Sequence, residues 1–233
     1  MPLDKRNETM GEMFDNIAPT YDSLNHILSF NNDKKWRRKA IKKLLQHNPS
    51  QILDVATGSG DMILEIAKHG KMAITAIDIS ANMLTIACQK ISHTYPDWEI
   101  NFIQASAESI PLDTSTFDGA CVAFGVRNFE DLPKGLTEIH RVLKTNGTLV
   151  ILEFVKPQRK IIRTFLKWYL NNVLPCIGKI ISKNKFAYTY LTQSIETFYT
   201  TPEFEKLCND NQFKHIETVS LFYGLVAIFV LKK

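Results

Sequence analysis

At 233 residues, with 45% hydrophobic and 22% charged side chains, the chain is long enough for one α/β domain with a sizeable core and short for two full ones. A net charge of +4 is too mild to argue for nucleic acid by itself. Cys88, Cys121, Cys176 and Cys208 stand far apart with no C-x-x-C pair, which excludes the usual zinc and redox spacings and suits a reducing cytoplasm.

In chain order, residues 1–50 read as a helical preface. Residues 1–22 are polar and carry acids, so no signal peptide is expected. From Gln51 strand, turn and helix alternate at the pace of βαβ units. Residues 51–56 form a short apolar strand, followed by a glycine turn and a helix from Asp61. Residues 73–77 are a second strand ending at Asp78, and Ser80 is placed to cap a helix with Met83, Leu84, Ala87, Cys88 and Ile91 on one face. Residues 100–105 and 117–125 are the third and fourth strands, Leu132, Leu136, Ile139 and Leu143 a helical stripe, and 147–154 the fifth strand. Helix-length bridges between strands imply parallel order.

The end breaks the rhythm. Residues 156–200 read as a helical insertion, and Thr201-Pro202 opens a helix with proline at its first position. The runs 215–222 and 225–231 lie only two residues apart, across Tyr223-Gly224, and should pair as an antiparallel hairpin. The longest apolar run, 222–231, is broken by Gly224 and is far short of a membrane span. The expected architecture is a single α/β domain over 1–233: a Rossmann-like, mostly parallel seven-stranded sheet finished by a C-terminal hairpin, the shape of class I methyltransferases. Within it, 51–155 is the donor-binding core and 201–233 the closing helix and hairpin.

Asp54, the turn Gly58-Ser59-Gly60 and the helix start at Asp61 create a place where backbone N–H groups meet a ligand. Asp78, eighteen residues after Gly60 and followed by Ile79, is positioned to accept both hydroxyls of a ribose. A dinucleotide fingerprint would need a third glycine where Ile63 stands. Asp61 directly follows the second glycine; an acid there repels pyrophosphate but suits the ammonium of an amino-acid moiety. Ser106 and Ala107, in the segment 104–108 that ends the third strand, mark where an adenine would lie. Together these landmarks point to S-adenosylmethionine.

Ile52-Leu53-Asp54, Gly58-Ser59-Gly60-Asp61, Asp78, the segment 107–112 and Phe117-Asp118 resemble general methyltransferase landmarks, whereas Phe124-Gly125-Val126-Arg127-Asn128 is narrower. It resembles the F-G-[LV]-R-N signature of the ubiquinone/menaquinone biosynthesis C-methyltransferases. Segment 14–22, Trp36-Arg37, segment 141–144, Leu152-Glu153-Phe154 and segment 190–195 extend the likeness over nearly the whole chain. The departures are modest. Ser59 stands where threonine is usual, Ala123 replaces a common serine, and Asn31 and Asn146 sit where glycine is typical, a change that a left-handed turn tolerates.

The resemblance implies C-methylation of demethylmenaquinol in menaquinone biosynthesis, with a polyprenyl methoxy-benzoquinol of ubiquinone biosynthesis as the alternative acceptor. Such a reaction needs a ring carbon made electron-rich by deprotonating the adjacent hydroxyl. A free phenol has a pKa of about 10, so a base or a nearby cation must help. Arg127 is the candidate cation, the alternative being an ion pair that holds two helices together. Asn128 would orient the quinol or a water. Tyr21 and Asp22 belong to a segment that either folds over the donor or caps a helix; Asp22, His26 and Glu153 are candidate bases.

Residues 156–185 carry eight Lys/Arg and no Asp or Glu, with Ile162, Phe165, Leu166, Tyr169, Leu170 and Val173 on one helical face and Trp168 beside them. This pattern suits an anionic membrane interface or, alternatively, a core-packed helix with a solvated basic face. The chain is thus expected in the cytoplasm, peripheral on the inner face of the membrane, with a polyprenyl quinol and the membrane surface as partners and a homodimer left open. Nucleic acid is not expected. The fourth strand is followed by Gly125-Val126-Arg127-Asn128 rather than the D-P-P-Y type of motif of adenine-N6 enzymes, and Cys121 should be buried in mid-strand, useless as a cytosine-C5 nucleophile. A non-catalytic donor-binding module would lack the Arg127-Asn128 pair.

Overall fold

In the computed structural model, residues 4–29, 31–168 and 185–233 are described. Six strands, β1 (Gln51–Val55), β2 (Ala73–Asp78), β3 (Asn101–Gln104), β4 (Phe117–Ala123), β5 (Leu143–Phe154) and β6 (Lys214–Leu221), run in one direction; β7 (Val226–Lys232) lies antiparallel between β5 and β6. The seven strands stand in the order β3-β2-β1-β4-β5-β7-β6. The middle strands are apolar almost without alternation because both of their faces are covered; Ile52, Leu53 and Val55 of β1 are all fully buried.

The chain moves outward from β1 to β3, then returns to lay β4 against β1, with Leu53 opposite Ala120 and Val55 opposite Val122. That reversal opens a crevice beyond the carboxyl ends of β1 and β4, the place where open α/β sheets bind ligands.

The helices among the described residues are α1 (Asn7–Leu28), α2 (Asn32–Leu45), α3 (Asp61–Ala67), α4 (Ala81–Thr94), α5 (Leu132–Val142), α6 (Lys160–Trp168), α7 (Lys185–Thr197) and α8 (Thr201–Asp210). Two apolar layers sandwich the sheet. Leu136, Ile139, Phe204 and Phe229 meet on one face; Ile41, Leu44, Ile63 and Ile66 meet on the other. Replacing Leu136 by alanine should cost about 2–5 kcal/mol of stability.

The elements depart from the sequence reading at their ends. Ala56 leaves the first strand at φ +53, and Phe124 ends the fourth at φ +58, before a 3-10 turn at Val126–Asn128. Leu143 opens β5 rather than closing the preceding helix, because Phe117 pairs with it ahead of an irregularity in the β4–β5 register. Thr200, not Thr201, caps α8, which leaves Pro202 at the second helical position. Segment 16–22 lies inside α1, with Pro19 in the helix, so it caps nothing. Of the basic stretch 156–185, residues 160–168 are helical, and 169–184, including Tyr169, Leu170 and Val173, lie outside the described residues. Among the described residues, no helix is long and apolar enough to cross a membrane.

Candidate active site

The crevice holds about 620 Å3 of empty space, part of it open to solvent. Its floor is the turn after β1. Ala56, Gly58 and Gly60 take φ values of +53, +56 and +83, and the Thr57 N–H donates to the Ile77 carbonyl at 3.0 Å, tying the turn to β2. Gly125 closes against this turn, where an added Cβ would stand 2.7 Å from the Ala56 methyl. A floor stripped of side chains lets a ligand approach the backbone.

Asp78 ends β2 and lines the crevice. Its carboxylate accepts from the Gly58 N–H at 2.8 Å and the Ser80 N–H at 2.9 Å. Burial nevertheless pushes its pKa up to about 6, outweighing those bonds. Ile79, Ser106 and Ala107 line the same space, and the Ser106 hydroxyl donates to Glu108. Glu108 also accepts the Glu130 N–H at 2.8 Å, fastening the loop after β4 to the end of β3. A buried acceptor beside a bare backbone floor fits a ribose and its base.

Four of the expected donor residues lie outside this lining. Asp54 is beneath the turn, accepting the Thr57 hydroxyl at 2.5 Å and the Cys121 thiol at 3.3 Å, and burial raises its pKa to about 6. Cys121 itself is wholly buried in mid-strand. Gly60 packs under Ala87 and Ile91 of α4, and the Ser59 hydroxyl donates to Asp22. Asp61 is paired with Lys90 at 2.8 Å and Arg37 at 3.6 Å. Its burial opposes ionisation, but Arg37 and Lys90 prevail and hold its pKa below the usual carboxylate range. Asp61 thus meets two cations of the chain itself.

Helix α1 covers the crevice, contributing Asn7, Met10, Phe14 and Tyr21 to its lining. It is anchored at two points. Asp15 accepts the Asn82 N–H at 3.1 Å and the Ser80 hydroxyl, while Asp22 takes Lys90 at 2.7 Å. His26 belongs to a neighbouring network rather than to the crevice, bonding Asp33 at 2.7 Å, and Asp33 in turn pairs with Arg37 at 2.5 Å. His26, Asp33 and Asp61 bring possible ligand atoms within 4.8 Å of one another, but Arg37 and Lys90 already neutralise those acids.

The opposite wall begins at the 3-10 turn. Arg127 is buried behind the lining, its guanidinium donating to Glu153 at 2.7 Å and to the Phe124 carbonyl at 2.6 Å. The pair joins the turn after β4 to the end of β5, not two helices. Glu153 is fully buried and also receives the Arg127 and Phe154 N–H groups at 3.2 and 2.8 Å, so its oxygens are committed and it is unsuited to act as a base. Asn128 reaches the crevice; its Oδ1 accepts the Tyr190 hydroxyl at 3.0 Å, and its Nδ2 donates to Phe124 at 3.3 Å. Burial pushes Tyr190 up to about 12, against the pull of Arg127, and raises Tyr21 in the same way.

Lys90, Glu108 and Lys5 had no individual signal in the sequence reading. Lys90 meets Asp22 and Asp61 only after α1, α3 and α4 converge. Lys5 feels Arg127 and Glu153, and burial followed by Arg127 lowers its pKa. No spacing rule spans the distance from residue 5 to 127.

A sequence profile described as the ubiE/COQ5 methyltransferase family matches residues 3–233. The chain is 40% identical over 230 residues to a protein named demethylmenaquinone methyltransferase from Bacteroides fragilis, covering 98% of this chain and 94% of that one. It is 38% identical over 233 residues to the ubiquinone/menaquinone biosynthesis C-methyltransferase UbiE of Geotalea uraniireducens, covering 99% of each. Among solved structures, a Thermotoga maritima S-adenosylmethionine-dependent methyltransferase superposes with a TM-score of 0.67 at 18% identity, covering 95% of this chain and 99% of that one. The [4+2]-cyclase SpnF superposes at 0.69 and 16%, covering 100% and 98%, so the fold by itself does not fix the reaction.

Proposed function

The chain belongs to the ubiE/COQ5 methyltransferase family, and from that premise we propose that it methylates a ring carbon of demethylmenaquinol to give menaquinol. It is an S-adenosylmethionine-dependent methyltransferase of quinone biosynthesis; the choice of acceptor is our reading. The observation carrying that reading is the two-sided crevice. One side is the bare turn with Asp78; the other is apolar and aromatic, with Phe14, Tyr21, Asn128 and Phe129.

The donor would supply an electrophilic sulfonium methyl group. The quinol hydroxyl gives its proton to solvent at the open side of the crevice. The donor's S–C bond breaks as the ring carbon takes the methyl, and the hydrogen on that carbon leaves to solvent as a proton. Asp78 accepts its ribose hydroxyls, the Gly58 turn offers backbone polar groups, and Ile79, Ser106 and Ala107 receive the adenine. Asp54, Ser59, Gly60 and Asp61 support that floor from below and beside it. The chain's main task is alignment and the exclusion of water. Its second task is to favour the quinol oxyanion. Arg127 is offset by Glu153, and Lys5 adds a further positive charge to the same region. A net positive charge in a low dielectric lowers the pKa of a phenol. Tyr21, kept neutral by burial, donates its O–H to the developing oxyanion, and the second Nδ2 hydrogen of Asn128 orients the ring. Asp22, tied to Lys90 and Ser59, acts as a latch for α1 rather than as the base. The enzyme works in the cytoplasm, held peripherally on the inner face of the membrane where its polyprenyl acceptor resides.

Mass spectrometry of quinones from a deletion strain tests this acceptor. Accumulated demethylmenaquinone supports the reading. An unchanged quinone pool overturns it, and accumulation of an unmethylated benzoquinone instead assigns the ubiquinone branch.

A further inference from the structure

Away from the crevice, the turn between β6 and β7 holds two aromatic rings in an unfavourable setting. Phe222, Tyr223 and Gly224 take φ values of +45, +59 and +87 in succession. Glycine adopts such angles freely; bulky residues rarely do. The strain is not compensated by packing at the tip, for Tyr223 is 84% exposed and Phe222 43%. Strained backbone that presents an apolar ring to solvent is a feature of binding surfaces.

Beside the turn lies an open cavity of about 800 Å3 lined by Lys156, Arg159, Thr201, Ser220, Tyr223 and Gly224. Neither Lys156 nor Arg159 has an ion-pair partner among the described residues. Glu203 senses Lys156, but its carboxylate is held by the Thr200 N–H at 2.8 Å and the Thr200 hydroxyl at 2.7 Å. Arg159 leads directly into helix α6, which carries Lys160, Arg163 and an Ile161 that is 85% exposed. No Asp or Glu occurs between Glu153 and Glu196.

We propose that this face docks on an anionic lipid bilayer, with Tyr223 and Ile161 entering the interface and Lys156 and Arg159 receiving lipid phosphates. The charge selects the partner: unpaired cations are drawn to an anionic leaflet, and a tyrosine places its ring among acyl chains with its hydroxyl at the headgroups. The docking face is joined to the crevice by a run of tilted ring contacts. Tyr223 lies 6.0 Å from Phe222, Phe222 5.6 Å from Trp36, and Trp36 6.3 Å from Phe124, which lines the crevice. The inference deepens the peripheral placement proposed above and rests on that reading, though not on which quinol is methylated.

Co-sedimentation of the full chain with phosphatidylcholine vesicles, with and without phosphatidylglycerol, provides the test. The protein should pellet with the anionic vesicles, and high salt should release it. Arg159→Glu and Tyr223→Ser should each weaken partitioning about tenfold while leaving donor affinity unchanged. Tyr223→Trp should gain a blue-shifted emission only with anionic vesicles. Equal pelleting with neutral vesicles, undiminished binding by both variants, or an unshifted tryptophan overturns the proposal. A loss of donor affinity in either variant assigns the turn to the active-site structure instead and overturns it as well.

Discussion

The floor and the cover of the crevice are built on different principles. The floor joins residues close in the chain or on neighbouring strands, and its key side chain, Asp78, is held by the backbone N–H groups of Gly58 and Ser80. The cover and the wall opposite it are joined through side chains instead: Asp22 to Lys90, Tyr190 to Asn128, and Arg127 to Glu153. Backbone-held groups tolerate variation in their neighbours, whereas each side-chain link depends on both partners. On our proposal the floor serves the donor and the cover is where the acceptor is chosen.

The largest effect should come from breaking the most buried of these side-chain links. Arg127→Ala leaves the buried Glu153 without its ion-pair partner, which costs about 3–5 kcal/mol of stability and abolishes turnover. A drop in turnover alone therefore says little about chemistry. The double variant Arg127→Met, Glu153→Leu removes both charges and should regain most of the stability in thermal melts. If turnover returns with stability, Arg127 is only a structural clamp; if the enzyme stays inactive while folded and donor-competent, its charge acts on the acceptor.

Next is the floor. Asp78→Asn should weaken donor binding about a hundredfold, roughly 2.7 kcal/mol, with little change in melting temperature. The wild-type response to pH follows from the pKa of about 6 that burial gives Asp78. Above that pH the carboxylate is ionised and accepts the ribose hydroxyls. As pH falls through it the group protonates, one acceptor is lost, and affinity must decline. Calorimetry should show this decline in the wild type and a flat profile in Asp78→Asn. A decline that persists in the variant would assign it to another group.

The same contrast explains what could be read in the sequence. The floor was legible because Asp54, Gly58, Gly60 and Asp78 occur at spacings set by a strand, a turn and the next strand. The seven strands and the closing hairpin were legible for a similar reason: apolar runs and short turns are local signals. Element ends were less so, since Phe124 and Ala56 take left-handed angles imposed by close packing at Gly125. In the wall opposite the cover, Arg127 and Asn128 were visible through their signature, but their partners were not identified. Lys5 and Lys90 are ordinary surface-type lysines until the fold places acids and cations around them. Asp61 shows the limit from the other side. Its place after Gly60 argued for a ligand's ammonium, but nothing in the spacing announced Arg37 and Lys90, which the convergence of α2, α3 and α4 brings beside it.

A smaller effect is expected at the link between α7 and the 3-10 turn after β4. Tyr190→Phe removes the hydroxyl that bonds Asn128 and should cost about 1 kcal/mol in stability. Because Asn128 would then turn more freely, kcat should fall severalfold while donor affinity holds. Unchanged kcat would detach Asn128 from acceptor orientation.

The smallest effect is expected at Asp22, and it decides between a latch and a base. Asp22 and Lys90 are each more than a quarter exposed, so solvent screens their pairing and its loss should cost under about 1 kcal/mol. If Asp22 only fastens α1 over the floor, Asp22→Asn should raise the donor KM a few fold and leave kcat near its wild-type value, since Ser59 can still donate to the amide oxygen. Were Asp22 the group that takes the quinol proton, the same variant would lower kcat by about a hundredfold or more and remove the acidic limb of its pH profile. The geometry favours the first outcome: Asp22 faces Lys90 and Ser59, outside the crevice lining, while Tyr21 next to it lines the space itself.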